Sequence, residues 1–303
     1  MRAFVIQLVI CFLVWPAARA GDFIQHSEGF FRGYLNRELY FQSWKPVRAP
    51  IRQTIVLIHG QGEHSGRYQN LVKALVPQGR AIYTFDMRGH GKSSGPRGHL
   101  HLWSEYREDI RIFLDKVRRA RPWDRIILYG HSFGGFIVLD YALRNPFGLR
   151  GVISSAPRLN GVPVSPEQAR AGRILNFVPL VSTLLPIPTM LDVDGLSRDS
   201  AVVAGYRADP LVHGVTSIRY LNEYKGALKF TIGNAAYFPL PLLMIHGTAD
   251  RINTIGEARE FFSKVRVSDR KMIEYEGVFH EPHNDYGKEL LFDDVNSWLT
   301  DRE

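Results

Sequence analysis

The chain has 303 residues, of which 45% are hydrophobic and 22% charged, and it carries a formal net charge of +8. That composition can bury a large core and excludes a disordered or fibrous chain. The positive surplus is spread without any basic run, so nucleic acid is not an expected partner, and the lone Cys11 excludes a disulfide framework.

Residues 1–20 read as an export signal. Arg2 supplies a positive start, residues 4–15 are almost wholly apolar, and Ala18-Arg19-Ala20 has the small-x-small pattern of a cleavage site. The apolar stretch is short for a bilayer span, which takes about 20 residues. The expected mature protein therefore starts near Gly21, has no thiol, and is periplasmic, envelope-associated or secreted.

Residues 30–34 and 38–44 predict two antiparallel strands around a turn at Leu35, Asn36 and Arg37, at one edge of a sheet. Residues 54–58, TIVLI, form an apolar run of the length of a buried strand; the glycine-rich HGQGEHSG follows, then a helix over 68–76. Residues 81–85 give a third buried strand, 103–117 have helical spacing, and 126–129, IILY, give another strand. Apolar residues then recur at helical spacing from Phe136, and residues 152–155 continue the alternation. Strands alternating with helices imply parallel pairing, with crossovers covering both faces of the sheet.

The alternation stops over 158–234. That stretch is rich in proline and carries an apolar series running from Ile174 to Ile187. It reads as a helical insertion, either a lid that receives an acyl chain and meets a membrane surface or simple packing onto the main domain. Beyond it come a buried strand at 241–246, a helix at 255–265, a last strand at 271–275 and a closing helix at 286–299. The expected architecture is a mostly parallel α/β sheet flanked by helices, with a helical cap after the sixth strand. Its core comprises 21–157 and 235–303.

Between strand 126–129 and its helix, Gly130-His131-Ser132-Phe133-Gly134 has G-x-S-x-G order, the pattern that holds a serine on a sharp strand-to-helix turn. A serine hydroxyl needs a base within reach, and the base needs an orienting acid. Asp250 follows strand 241–246 in HGTAD, while Asp192, Asp194, Asp199 and Asp209 all fall in the insertion. For the base, His280 is preferred over His283, because Pro282 and His283 begin the connection to the final helix. The serine, acid, histidine order is that of α/β-hydrolases. An oxyanion needs preorganised N–H donors, and the backbones of Phe133 and Gln61 are the candidates. Gly60, Gly62 and Gly66 are spaced one residue too long for a dinucleotide loop, and His280-Glu281-Pro282-His283 is not a zinc-binding helix motif. No metal or organic cofactor is expected. Asp86 and Arg88 read as ties for the turn after the third buried strand, with a lesser reading of Arg88 or Lys92 as head-group ligands.

Taken together, HGQGEHSGRY, DMRGHGKSSGPRGH, GHSFGG, HGTADRI and YEGVFHEPHND resemble the monoacylglycerol lipase and lysophospholipase L2 group of α/β-hydrolases. LSRD at 196–199 and DPL at 209–211 extend the likeness into the insertion. The resemblance implies Ser132 as nucleophile, Asp250 as acid, His280 as base, and Gln61 and Phe133 as the oxyanion hole. It also implies hydrolysis of single-chain lipid esters, monoacylglycerols or lysophospholipids, through an acyl-enzyme. Short-chain esterase, thioesterase and aminopeptidase chemistry fit the same triad, and a catalytically silent lipid-binding module is the rival from another class. Oligomeric state is not legible.

Overall fold

The structure, a computed structural model, describes residues 23–161 and 186–303. The expected export signal and all of the apolar series except Ile187 lie outside these residues. Ten strands are present among them: β1 (Ile24–Arg32), β2 (Glu38–Pro46), β3 (Gln53–Ile58), β4 (Arg80–Phe85), β5 (Ile126–His131), β6 (Leu149–Ser155), β7 (Pro186–Pro188), β8 (Val215–Ser217), β9 (Leu242–Gly247) and β10 (Arg270–Tyr275). Eight of them form one sheet in the order β1-β2-β4-β3-β5-β6-β9-β10. Only β2 runs against its neighbours; the pairs from β4 to β10 are all parallel.

The helices are α1 (Gln69–Leu75), α2 (Ser104–Ala120), α3 (Phe133–Arg144), α4 (Ser200–Ala208), α5 (Ile218–Gly233), α6 (Ile255–Lys264) and α7 (Lys288–Thr300). Every residue of β3, β4, β5 and β9 is buried, as expected of strands covered on both faces. Helix α2 shows how the layers close. Its buried residues Tyr106, Ile110, Phe113, Leu114 and Val117 recur at three- and four-residue intervals and so share one face against the sheet. Burial of each large side chain contributes about 1.5–3 kcal/mol. None of the described helices is long and apolar enough to cross a membrane.

The structure corrects the sequence reading at two places. Strand β1 begins at Ile24 rather than near Phe30, because its first half is an exposed edge that needs no apolar alternation. Leu35 and Asn36 close the hairpin at positive φ, 56° and 57°. The insertion is also not purely helical: β7 and β8 pair antiparallel as a separate two-stranded ribbon. Between β6 and β9 no described residue joins the main sheet.

In such sheets the loops at the carboxyl ends of parallel strands meet on one side. Here those loops follow β3, β5, β9 and β10, and they carry Gln61, Ser132, Asp250 and His280.

Candidate active site

Ser132 sits between β5 and α3 with φ 54° and ψ −117°, a conformation that a non-glycine residue holds only when its surroundings fix it. Neighbouring chain supplies that support: the Ser132 N–H donates to the Ser155 carbonyl at 2.8 Å, and the Arg158 N–H donates to the Ser132 carbonyl at 3.0 Å. A side chain at Gly130 would overlap the Gly134 carbonyl, and one at Gly134 would overlap the Ile58 carbonyl. The G-x-S-x-G glycines are therefore required by close backbone approach.

His280 bridges the other two residues. Its Nε2 lies 2.9 Å from Ser132 Oγ and its Nδ1 2.8 Å from Asp250 Oδ2. With Asp250 ionised, Nδ1 carries the proton and Nε2 is left to accept from the serine hydroxyl. The other Asp250 oxygen accepts the N–H groups of Ile252 at 2.8 Å and Asn253 at 3.0 Å. Burial works to raise the Asp250 carboxyl, yet His280, with His246 and the Asn253 amide, outweighs it and holds the group below the usual carboxylate range. His283 is not at Ser132. Its ring stacks on Tyr68 at 4.9 Å, and burial pushes it down to about 4.

The Phe133 amide is the first of helix α3, among those with no intrahelical carbonyl to reach, and it adjoins the nucleophile. Gln61 lines the same cleft as Ser132 and His280. Its side chain is pinned, since Oε1 accepts from Arg158 Nη1 at 2.6 Å and from the Tyr220 hydroxyl at 3.0 Å. The loop before it is held by Glu63, which accepts from the Gly60 N–H at 2.5 Å and from the Tyr68 hydroxyl at 2.6 Å. Arg67 then joins Glu63, at 3.2 Å, to Glu281, at 2.9 Å, so one half-buried guanidinium ties the Gln61 loop to the His280 loop.

Several residues beside the triad had no sequence signal. Asn253 Nδ2 lies 3.4 Å from Ser132 Oγ and donates to the Ala156 carbonyl at 2.8 Å. Arg158, Tyr220 and Glu63 come to the cleft only through the fold. Asp86 ties its turn as expected, accepting from the Ser65 and Lys92 N–H groups, both at 2.8 Å. Arg88 does not join it. Its guanidinium instead pairs with Asp109 and Glu105 of α2, both at 2.6 Å, which leaves no free edge for a head group. Lys92 points to Tyr40 and Glu28 at the sheet edge.

The cleft around Ser132 and His280 is narrow, about 30 Å³, and residues of the insertion, Leu191, Leu196 and Tyr206, form part of its wall. A larger cavity of about 300 Å³ adjoins it and shares Gln61, Arg158 and Leu191. The combination of a strained serine and a two-sided imidazole is equipped for acyl transfer.

Comparison with known proteins agrees with this chemistry. A family model described as Serine aminopeptidase, S33 (Hydrolase_4) matches residues 49–287. A monoacylglycerol lipase of Mycolicibacterium smegmatis is 34% identical over 275 residues, covering 90% of this chain and 96% of that one. A Bacillus subtilis phospholipase, YtpA, is 28% identical over 256 residues, covering 82% and 95%. The crystal structure of Paleococcus ferrophilus monoacylglycerol lipase superposes with a TM-score of 0.76 at 31% identity, covering 88% of this chain and all of that one. The chain belongs to the serine aminopeptidase S33 family of hydrolases, on the α/β-hydrolase fold it shares with monoacylglycerol lipases.

Proposed function

We propose that the protein hydrolyses the carboxylic ester of single-acyl-chain lipids, with Ser132 as the nucleophile. The observation that carries the reading is the His280 ring, with one nitrogen 2.9 Å from Ser132 Oγ and the other 2.8 Å from Asp250. His280 takes the hydroxyl proton as Oγ attacks the ester carbonyl carbon. The N–H groups of Gln61 and Phe133 take up the resulting oxyanion, backbone donors being the groups that stabilise such developing charge. His280 then passes its proton to the leaving alcohol, and the acyl group stays on Ser132. Water, deprotonated by the same imidazole, attacks the acyl carbon, and the fatty acid and free serine are released. Asp250 holds the ring and stabilises its charged form throughout.

The substrate class is supported by the relatives, one named a monoacylglycerol lipase and another a phospholipase, and by the apolar Leu191 and Leu196 in the cleft wall. The test is hydrolysis of p-nitrophenyl esters of rising chain length, a monoacylglycerol and a lysophospholipid, by the wild type and by Ser132→Ala. Turnover of the long single-chain lipids, reduced to background in a folded Ser132→Ala protein, is the expected result. A Ser132→Ala variant that keeps most of the activity contradicts the nucleophile assignment, and wild-type turnover of short esters alone contradicts the lipid class.

A further inference from the structure

Three arginines are buried among the described residues: Arg80, Arg88 and Arg158. A guanidinium stays charged at any working pH, so burying one without a counter-ion is costly. Two of the three conform to that rule. Arg80 meets Glu303 at 2.7 Å, and Arg88 meets Asp109 and Glu105 at 2.6 Å. Arg158, only 7% exposed, has no carboxylate partner among the described residues. One guanidinium nitrogen, Nη1, donates to a neutral acceptor, Gln61 Oε1, at 2.6 Å, and Nε is buried with no hydrogen-bond partner.

The position of this cation gives it meaning. Its backbone N–H is bonded to the carbonyl of Ser132 at 3.0 Å, so the residue is fixed relative to the nucleophile. It lines both the narrow cleft at Ser132 and the adjoining cavity of about 300 Å³. Asn160, Thr189 and Thr254 add neutral polar groups to that cavity. Its carboxylate, Asp192, is already committed to Arg251 at 3.1 Å. Among the described residues, the cavity therefore presents one guanidinium without a carboxylate partner, on a segment bonded to the Ser132 backbone.

We propose that Arg158 is an anion-binding subsite that selects ester substrates carrying a negatively charged phosphate on the head group, over neutral esters of the same chain length. The missing counter-ion of Arg158 is then supplied by the substrate. A charge-assisted hydrogen bond to a guanidinium is about twice as strong as a neutral one and geometrically selective. This inference rests on the lipid-ester reading above and names its head group.

The test compares a lauroyl lysophosphatidylglycerol with monolauroylglycerol, below their micelle concentrations, in the wild type, Arg158→Gln and Arg158→Lys. The wild type is expected to prefer the anionic lipid in kcat/KM. In Arg158→Gln the anionic-to-neutral ratio is expected to fall by about tenfold or more, chiefly through KM, and Arg158→Lys should regain part of it. Because Arg158 also pins Gln61, both activities can decline; the ratio is what the proposal concerns. An unchanged ratio overturns it, whether both activities fall together or neither does.

A second readout does not depend on turnover. Dodecyl phosphate, titrated calorimetrically into wild type and Arg158→Gln, should bind the wild type at least about tenfold more tightly, whereas a neutral dodecyl glyceryl ether should not distinguish them. Equal binding of dodecyl phosphate to both overturns the subsite. If the wild type binds dodecyl phosphate through Arg158 but hydrolyses neither lipid, the subsite stands and the lipid-ester reading fails. If Arg158→Gln does not fold, the wild type must still bind dodecyl phosphate more tightly than the ether, by a margin that shrinks with added salt, or the proposal is lost.

Discussion

His280 uses both ring nitrogens, one toward Ser132 and one toward Asp250, while His283 uses neither on the nucleophile. The two histidines three positions apart should therefore respond oppositely to mutation. His280→Gln is expected to reduce ester hydrolysis to near background, whereas His283→Phe, which can keep the stack on Tyr68, should retain kcat within about threefold and show its effect in stability. Asp250→Asn leaves the imidazole in place but removes the charge that fixes its tautomer, for which roughly a 10³–10⁴-fold loss in kcat is expected. Steady-state kinetics on a soluble ester checks all three, and full activity in His280→Gln contradicts the assignment of the base. Ser132, Asp250 and His280 could be read from the sequence because each follows a strand, the first two a fully buried one, and the three occur in serine, acid, histidine order. Arg158 and Asn253 could not, because nothing local marks them: they reach the nucleophile through pairing of β6 and β9 with their neighbours, over separations of tens of residues.

At the scale of elements, the salt link between Arg88, after β4, and Asp109 and Glu105, on α2, joins a loop at the carboxyl end of the sheet to the helix beneath it. Removing the cation alone leaves two buried carboxylates unpaired. Arg88→Met should destabilise the protein by about 3–5 kcal/mol, more than any exposed pair such as Arg111 with Glu108 could. Urea unfolding of both variants measures this, and an Arg88→Met loss as small as that of Arg111→Met contradicts the assignment. Buried strands such as β3, β5 and β9 were legible because a strand covered on both faces must be a continuous apolar run. The opening half of β1 was not, since an exposed edge strand places no such demand on its residues. The ribbon of β7 and β8 was hidden for a related reason: two three-residue strands, one of them begun and ended by Pro186 and Pro188, carry too little pattern to be seen. That α2 would be a helix with one buried face was plain; that its acidic residues would capture Arg88 was not.

For the whole molecule, several histidines are held neutral by burial. Burial pushes His59, His213 and His283 down to about 4, from an ordinary value of 6.5. Each is neutral in the folded protein over a range where the unfolded chain takes up a proton. Stability is thus fully present above about pH 6.5 and is lost as pH falls toward 4, each group contributing about 1.4 kcal/mol per pH unit across that window. Asp250, held below its ordinary range, adds loss at still lower pH as it is protonated. The urea midpoint should therefore fall steeply between about pH 6.5 and 4, and a flat profile there contradicts the burial of these rings as neutral groups.

The proposed reaction depends on a single nucleophilic oxygen, Ser132 Oγ. An alkyl fluorophosphonate, which phosphonylates an activated serine with loss of fluoride, tests it directly when the modified peptide is identified by mass spectrometry. The wild type should gain one adduct, on Ser132, at a rate that drops sharply in His280→Gln. No adduct, or an adduct on another residue with Ser132 unmodified, would contradict the account.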